Sequence, residues 1–172
     1  MNRAPSPAAT AELCLATPEA TGQLAVWLAP KLLPGDVILL EGPMGAGKSH
    51  FARGLIQSRL AAQGRMEDVP SPTFTLVQVY DLGSAEIWHV DLYRLASVDE
   101  VMELGLLDAF ETAICLVEWP DRLDRMAPEG ALRLKLTPAP GGDARTASIS
   151  ASSQRWAPVL ADLESCRWTV DD

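Results

Sequence analysis

An α/β fold, a mixed β-sheet flanked by helices and carrying antiparallel hairpins, follows from three observations in the sequence. The apolar run Val37-Ile38-Leu39-Leu40 passes almost directly into Gly42-Pro43-Met44-Gly45-Ala46-Gly47-Lys48-Ser49 and then into a helical pattern. A second run, Ala113-Ile114-Cys115-Leu116-Val117, is continuously apolar, as a strand covered on both faces must be, and it ends on Glu118. Two pairs of alternating stretches read as hairpins: residues 73–80 with 86–93, and 131–137 with 144–150.

The first observation also names a chemistry. The loop has the spacing G-x-x-x-x-G-K-[ST], between a strand and a helix, which is the context that a phosphate-binding loop requires. Its glycines let successive N–H groups, those of Gly45, Ala46 and Gly47 among them, turn inward around phosphate oxygens. Lys48 brings an ammonium to the β and γ phosphates, and Ser49 offers a hydroxyl to Mg²⁺. The helix that begins there points its positive end at the same anion. Together these predict a P-loop NTPase-like sheet, and a nucleotide site is not yet a function.

The remaining elements follow in chain order. Residues 1–10, rich in Ala, Pro and Ser, read as a flexible leader without the apolar core of a secretion signal, and residues 11–172 as one domain. Residues 11–16 suit an edge strand, and Thr17-Pro18-Glu19 suits an N-cap, a first-turn proline and an acidic first turn. Pro30 ends or kinks the helix that follows. Phe51, Ala52, Leu55, Ile56 and Leu60 mark the apolar face of the helix after the loop, which should stop near Gly64. Ser97-Val98-Asp99-Glu100 is a capping box, and Gly105 stops the short helix it opens. Trp156, Val159, Leu160 and Leu163 mark a closing helix.

Composition narrows the function classes. The chain of 172 residues is 48% hydrophobic, yet no apolar run approaches the ~20 residues a bilayer span needs, which predicts no membrane association. Cys14, Cys115 and Cys166 are isolated and odd in number, so neither a zinc site nor a disulfide framework is expected, and a reducing cytoplasm fits. A net charge of −9 with three lysines argues against a self-sufficient nucleic-acid binder, because such proteins neutralise phosphates with clustered Lys and Arg.

Three further stretches bear on chemistry. Val69-Pro70-Ser71-Pro72-Thr73-Phe74-Thr75 presents hydroxyls on a proline-restricted backbone, either as a segment that senses the γ-phosphate or as a stiffened start to a strand. Glu118 is favoured as the carboxylate that holds Mg²⁺ beside Ser49, since strand ends converge on the ligand crevice of an open α/β sheet. Asp91 competes for that place from a strand that looks half exposed, and is expected to orient water or hold the hydroxyl-rich segment. His89 reads as packing and His50 as solvent-facing. Trp119 either lines the nucleotide pocket or covers the sheet end, while Arg94, Arg122 and Arg125 are uncertain phosphate contacts.

In order and spacing the motifs resemble the TsaE (YjeE) family, the ATPase component of bacterial tRNA threonylcarbamoyladenosine synthesis. The resemblance rests on the loop Gly42 to Ser49, on Ser71-Pro72-Thr73-Phe74-Thr75-Leu76-Val77, on His89-Val90-Asp91-Leu92-Tyr93-Arg94-Leu95, on Glu103-Leu104-Gly105 and on Cys115-Leu116-Val117-Glu118-Trp119-Pro120. It implies cytoplasmic, Mg²⁺-dependent hydrolysis of ATP, weak alone and stimulated by TsaD and TsaB, with tRNA contacted only through that complex. It further implies phosphate binding by Lys48 and the loop amides, Mg²⁺ held by Ser49 and Glu118, and support of hydrolysis by Thr73 and Asp91. Glu19 and Gly141 fall where family members approach the nucleotide. Ser49 stands where threonine is usual, and the hydroxyl is kept. Rival expectations are a small-molecule kinase with Arg122 and Arg125 in a lid, and a nucleotide-gated binding module whose hydrolysis is incidental. A GTP switch is disfavoured because no [NT]-K-x-D motif occurs.

Overall fold

The computed structural model describes residues 9–166, so the expected leader lies outside the described residues except for its last two positions. Those two begin β1 (Ala9–Leu15), which forms one edge of a seven-stranded sheet. The other strands are β2 (Val37–Glu41), β3 (Val77–Asp81), β4 (Glu86–Asp91), β5 (Ile114–Glu118), β6 (Leu132–Pro138) and β7 (Arg145–Ala151). Their spatial order is β1-β7-β6-β2-β5-β4-β3. The central four run parallel, while β3 pairs antiparallel with β4, β7 with β6, and β1 with β7. Mixed sheet and both hairpins are as expected from the alternation of their residues.

Helices cover both faces. Successive residues of a strand point to opposite sides, and β2 divides accordingly: Ile38 and Leu40 enter one apolar cluster, Val37 and Leu39 the other. The first cluster receives α1 (Pro18–Leu28), α2 (Lys48–Ala61) and α5 (Ala157–Ser165) through Leu24, Phe51, Leu55 and Leu160. The second receives α3 (Val98–Glu103) and α4 (Leu106–Thr112) through Val101, Leu106 and Phe110. Caps are where the sequence puts them. Thr17 accepts from the Ala20 N–H with Pro18 in the first turn, and Ser97 and Glu100 form the capping box. Pro30 turns the end of α1 into a 3₁₀ segment, Ala29–Lys31.

Three local expectations change. Residues 73–76 are not strand: the Leu76 N–H donates to the Pro72 carbonyl and Leu76 takes φ 68°, so the proline-restricted stretch turns across the sheet end before β3 begins. Gly105 stops α3 and, at φ 77°, also opens α4, a helix whose seven residues are too few to show a clear period. The strand bearing Asp91 is not half exposed, because β4 lies inside the sheet between β3 and β5, and Val90 and Asp91 are buried.

Parallel packing aligns three chain ends. β5 lies beside β2 with Glu118 opposite Leu40, and β4 lies beside β5 with Asp91 opposite Glu118. The glycine-rich loop, Glu118 and Asp91 therefore leave the same end of the sheet.

Candidate functional site

The loop after β2 is shaped by a close approach. Gly42 has φ 143°, and a Cβ there would stand 2.5 Å from the Leu136 carbonyl oxygen of β6 and 3.1 Å from the Ala46 Cβ. Gly45 also has positive φ but open space around it. Gly42→Ala is therefore expected to cost about 2–4 kcal/mol through strain and overpacking. Gly45→Ala should cost only about 1 kcal/mol. Urea unfolding of the two variants checks the difference, and equal losses would contradict the geometry.

Gly47 caps α2 in the left-handed conformation, and Lys48 and Ser49 form its first turn. Lys48 is only 4% exposed. Its ammonium donates to the Gly42 carbonyl and sits 3.4 Å from the centroid of the Trp119 ring. Burial pulls its pKa below the ordinary lysine value, against the opposing pull of Glu118, Asp91 and Asp121. Ser49 Oγ donates to Glu118 Oε1 at 2.8 Å.

Glu118 and Asp91 make different contacts. The second oxygen of Glu118 accepts from His89 Nε2 at 2.8 Å, with both side chains almost wholly buried. Asp91 Oδ2 accepts from Thr73 Oγ1 at 3.2 Å, and its Oδ1 accepts from the Tyr93 N–H at 2.9 Å. Ser71 Oγ lies 2.9 Å from Thr73 Oγ1. Asp91 thus fastens the hydroxyl-rich turn to the sheet, while Glu118 faces the loop. His89, expected as packing, orients Glu118. The signal was available in its place two residues before Asp91 on the same strand, but nothing in the sequence paired β4 with β5.

These groups line one open cleft of about 490 Å³, within the size range of small-molecule sites. Residues 44–50, Thr73, Asp91, Glu118 and Trp119 line it, and the Tyr93 ring packs against Trp119 at a centroid distance of 4.8 Å, tilted by 47°. Trp119 is therefore a wall of the cleft. His50 reaches the rim, where Nε2 lies 2.9 Å from the Pro18 carbonyl. Glu19 and Gly141 do not line the cleft, although their neighbours Pro18 and Asp143 do. Arg94, Arg122 and Arg125 stand outside it too: Arg94 stacks on Phe74 and Arg122 donates to the Tyr93 carbonyl at 3.5 Å. Arg145, absent from the sequence expectations, also lines the cleft.

Two oxygen donors 2.8 Å apart, Ser49 and Glu118, suit a hard cation that binds through few protein oxygens and completes its shell with water and phosphate, as Mg²⁺ does. Among the described residues no cluster of three or more His, Cys, Asp and Glu is arranged to hold a metal on its own. Such a donor set fits a cation that arrives with a polyanion.

Residues 15–146 match the family model described as Threonylcarbamoyl adenosine biosynthesis protein TsaE. The chain belongs to the TsaE family. It is 35% identical over 147 residues to the tRNA threonylcarbamoyladenosine biosynthesis protein TsaE of Bacillus subtilis, covering 85% of this chain and 89% of that one. The Rickettsia felis protein of the same name is 37% identical over 124 residues, 72% of this chain and 71% of its own. The crystal structure of Bacillus subtilis YdiB superposes with a TM-score of 0.72 at 28% identity, over 93% of this chain and 97% of that one. That likeness agrees with a P-loop NTPase-like α/β fold.

Proposed function

We propose that this chain is an ATPase subunit of tRNA threonylcarbamoyladenosine synthesis, hydrolysing Mg²⁺-bound ATP in association with TsaD and TsaB in the cytoplasm. Membership of the TsaE family supports the pathway. The observation that carries the chemistry is the Ser49–Glu118 contact at the foot of the glycine-rich loop, with Lys48 lining the same cleft. Ser49 and Glu118 would hold Mg²⁺, whose charge supports the developing charge on the transferred phosphoryl group. Lys48 and the N–H groups of Gly45, Ala46 and Gly47 bind the phosphates, and Asp91 with Thr73 orients the attacking water.

Hydrolysis by the chain alone is expected to be slow, because Arg94, Arg122 and Arg125 lie outside the cleft and Arg145, which lines it, is tied to backbone carbonyls, whereas phosphoryl transfer depends on positive charge positioned on the transferring group. The same observation weighs against a kinase lid. Glu19 and Gly141 stay proposed nucleotide contacts on the family resemblance alone, since neither lines the cleft. No helix among the described residues is long and apolar enough to cross a membrane. Phosphate release from ATP should rise at least about tenfold when TsaD and TsaB are added. Equal rates with and without them would remove the coupling, and transfer of phosphate to a small acceptor would favour the kinase.

A further inference from the structure

Arg145 stands a hundred residues from the glycine-rich loop in sequence and touches it in space. It begins β7, where the hairpin with β6 brings it over the loop. Its Nε donates to the Ala46 carbonyl at 2.9 Å and Nη2 to the Gly45 carbonyl at 3.2 Å, while Nη1 donates to the Ala144 carbonyl at 3.1 Å. A guanidinium carries five N–H donors. Three are spent on carbonyls, which leaves one on each terminal nitrogen. Those two are the fork that matches a carboxylate or phosphate.

Charge makes the leftover donors significant. Among the described residues no carboxylate pairs with Arg145, although Asp143 lines the same cleft. Arg155 shows what a purely structural arginine looks like in this fold: Nη2 and Nε meet the Asp36 carboxylate at 2.7 and 3.2 Å. Arg145 keeps a permanent charge without a protein counter-ion on the wall of a cleft, and its bonds to the loop fix where that charge sits. The same bonds act on the loop. The Nε and Nη2 bonds fix the orientation of the Ala46 and Gly45 carbonyls.

We propose that Arg145 is a phosphate-contacting residue of the nucleotide site, bracing the loop with one edge and offering its free fork to the polyphosphate chain. The inference rests on the ATP reading above. Without Arg145 the site keeps Lys48 as the one Lys or Arg side chain among the described residues that line the cleft.

Calorimetric titration of the full chain with ATP and Mg²⁺ tests it, using R145A and R145Q beside the wild type. Both variants should bind ATP at least about tenfold more weakly, as expected for a lost charge-assisted contact, and keep the wild-type melting temperature. Inorganic triphosphate should compete for the wild-type site and lose the same factor in the variants. Ethylguanidinium should recover binding by R145A. Unchanged ATP affinity in R145A overturns the proposal. Wild-type affinity in R145Q also overturns it, since a neutral donor that braces Ala46 would then suffice. Should R145A not fold, R145Q carries the comparison. If the wild type itself binds neither ATP nor triphosphate, the nucleotide reading falls first and the role of Arg145 with it.

Discussion

Lys48→Ala is expected to reduce partner-stimulated ATP turnover by about two to three orders of magnitude, the loss that follows removal of a preorganised charge from a phosphoryl-transfer site. The effect should appear in binding as well as in rate. In the structure the ammonium rests on the Gly42 carbonyl and over the Trp119 ring. A desolvated cation–π contact is worth about 2 kcal/mol, so phosphates that draw Lys48 into the cleft must replace that contact. Trp119 fluorescence should therefore change when ATP binds, and the change should vanish in Lys48→Ala. A Trp119→Phe chain identifies the signal among the five tryptophans.

The pH dependence has a definite sign. The pKa of Lys48 in the free protein lies below the ordinary 10.5, chiefly through burial. Phosphate favours the ammonium, so ATP affinity should be intact below that pKa and fall as pH rises through it. The fall begins at a lower pH than an unperturbed lysine would give. An affinity flat to pH 10.5, or a Lys48→Ala chain with the wild-type stimulated rate, contradicts this account.

Much of this arrangement was legible in the sequence because it depends on local patterns. A buried strand, a glycine-rich turn and a helix fix Lys48 and Ser49 relative to one another, and the continuous apolarity of β5 fixes Glu118 at a strand end. Thr17 and the Ser97–Glu100 box show the same locality at helix starts. What stayed hidden depends on which strands are neighbours. The burial of Asp91 comes from β3 and β5 on its two sides, and His89 meets Glu118 only because β4 and β5 lie side by side. Arg145 reaches Ala46 because β6 carries the last hairpin next to β2. Its own surroundings, Asp143-Ala144-Arg145-Thr146, read only as the start of the last hairpin strand. The turn at residues 73–76 was set by backbone: Leu76 at φ 68° is a conformation that a leucine rarely adopts, so no side-chain pattern announced it.

Glu118 offers the second large effect, and two substitutions separate its roles. Its carboxylate is shared between Ser49, which faces the loop, and His89, whose Nδ1 is buried without another partner. Glu118→Ala removes both functions. It leaves His89 with no polar contact for either ring nitrogen, and leaving a buried polar group unsatisfied costs about 1–3 kcal/mol, so urea unfolding should detect the loss. Glu118→Gln keeps the shape and a carbonyl oxygen that can still accept from His89 or Ser49, so most of that stability should remain. The charge is gone, however, and a neutral amide is a poor ligand for Mg²⁺. Turnover by Glu118→Gln should therefore fall about a hundredfold or more, while ATP binding measured without Mg²⁺ stays close to wild type. The magnesium-dependent gain in affinity should disappear. Full stimulated turnover in Glu118→Gln would mean that the cation is held elsewhere, with Asp91 next to be tested. Equal instability of the alanine and glutamine variants would instead show that the negative charge, rather than the hydrogen bonds, keeps His89 in the sheet.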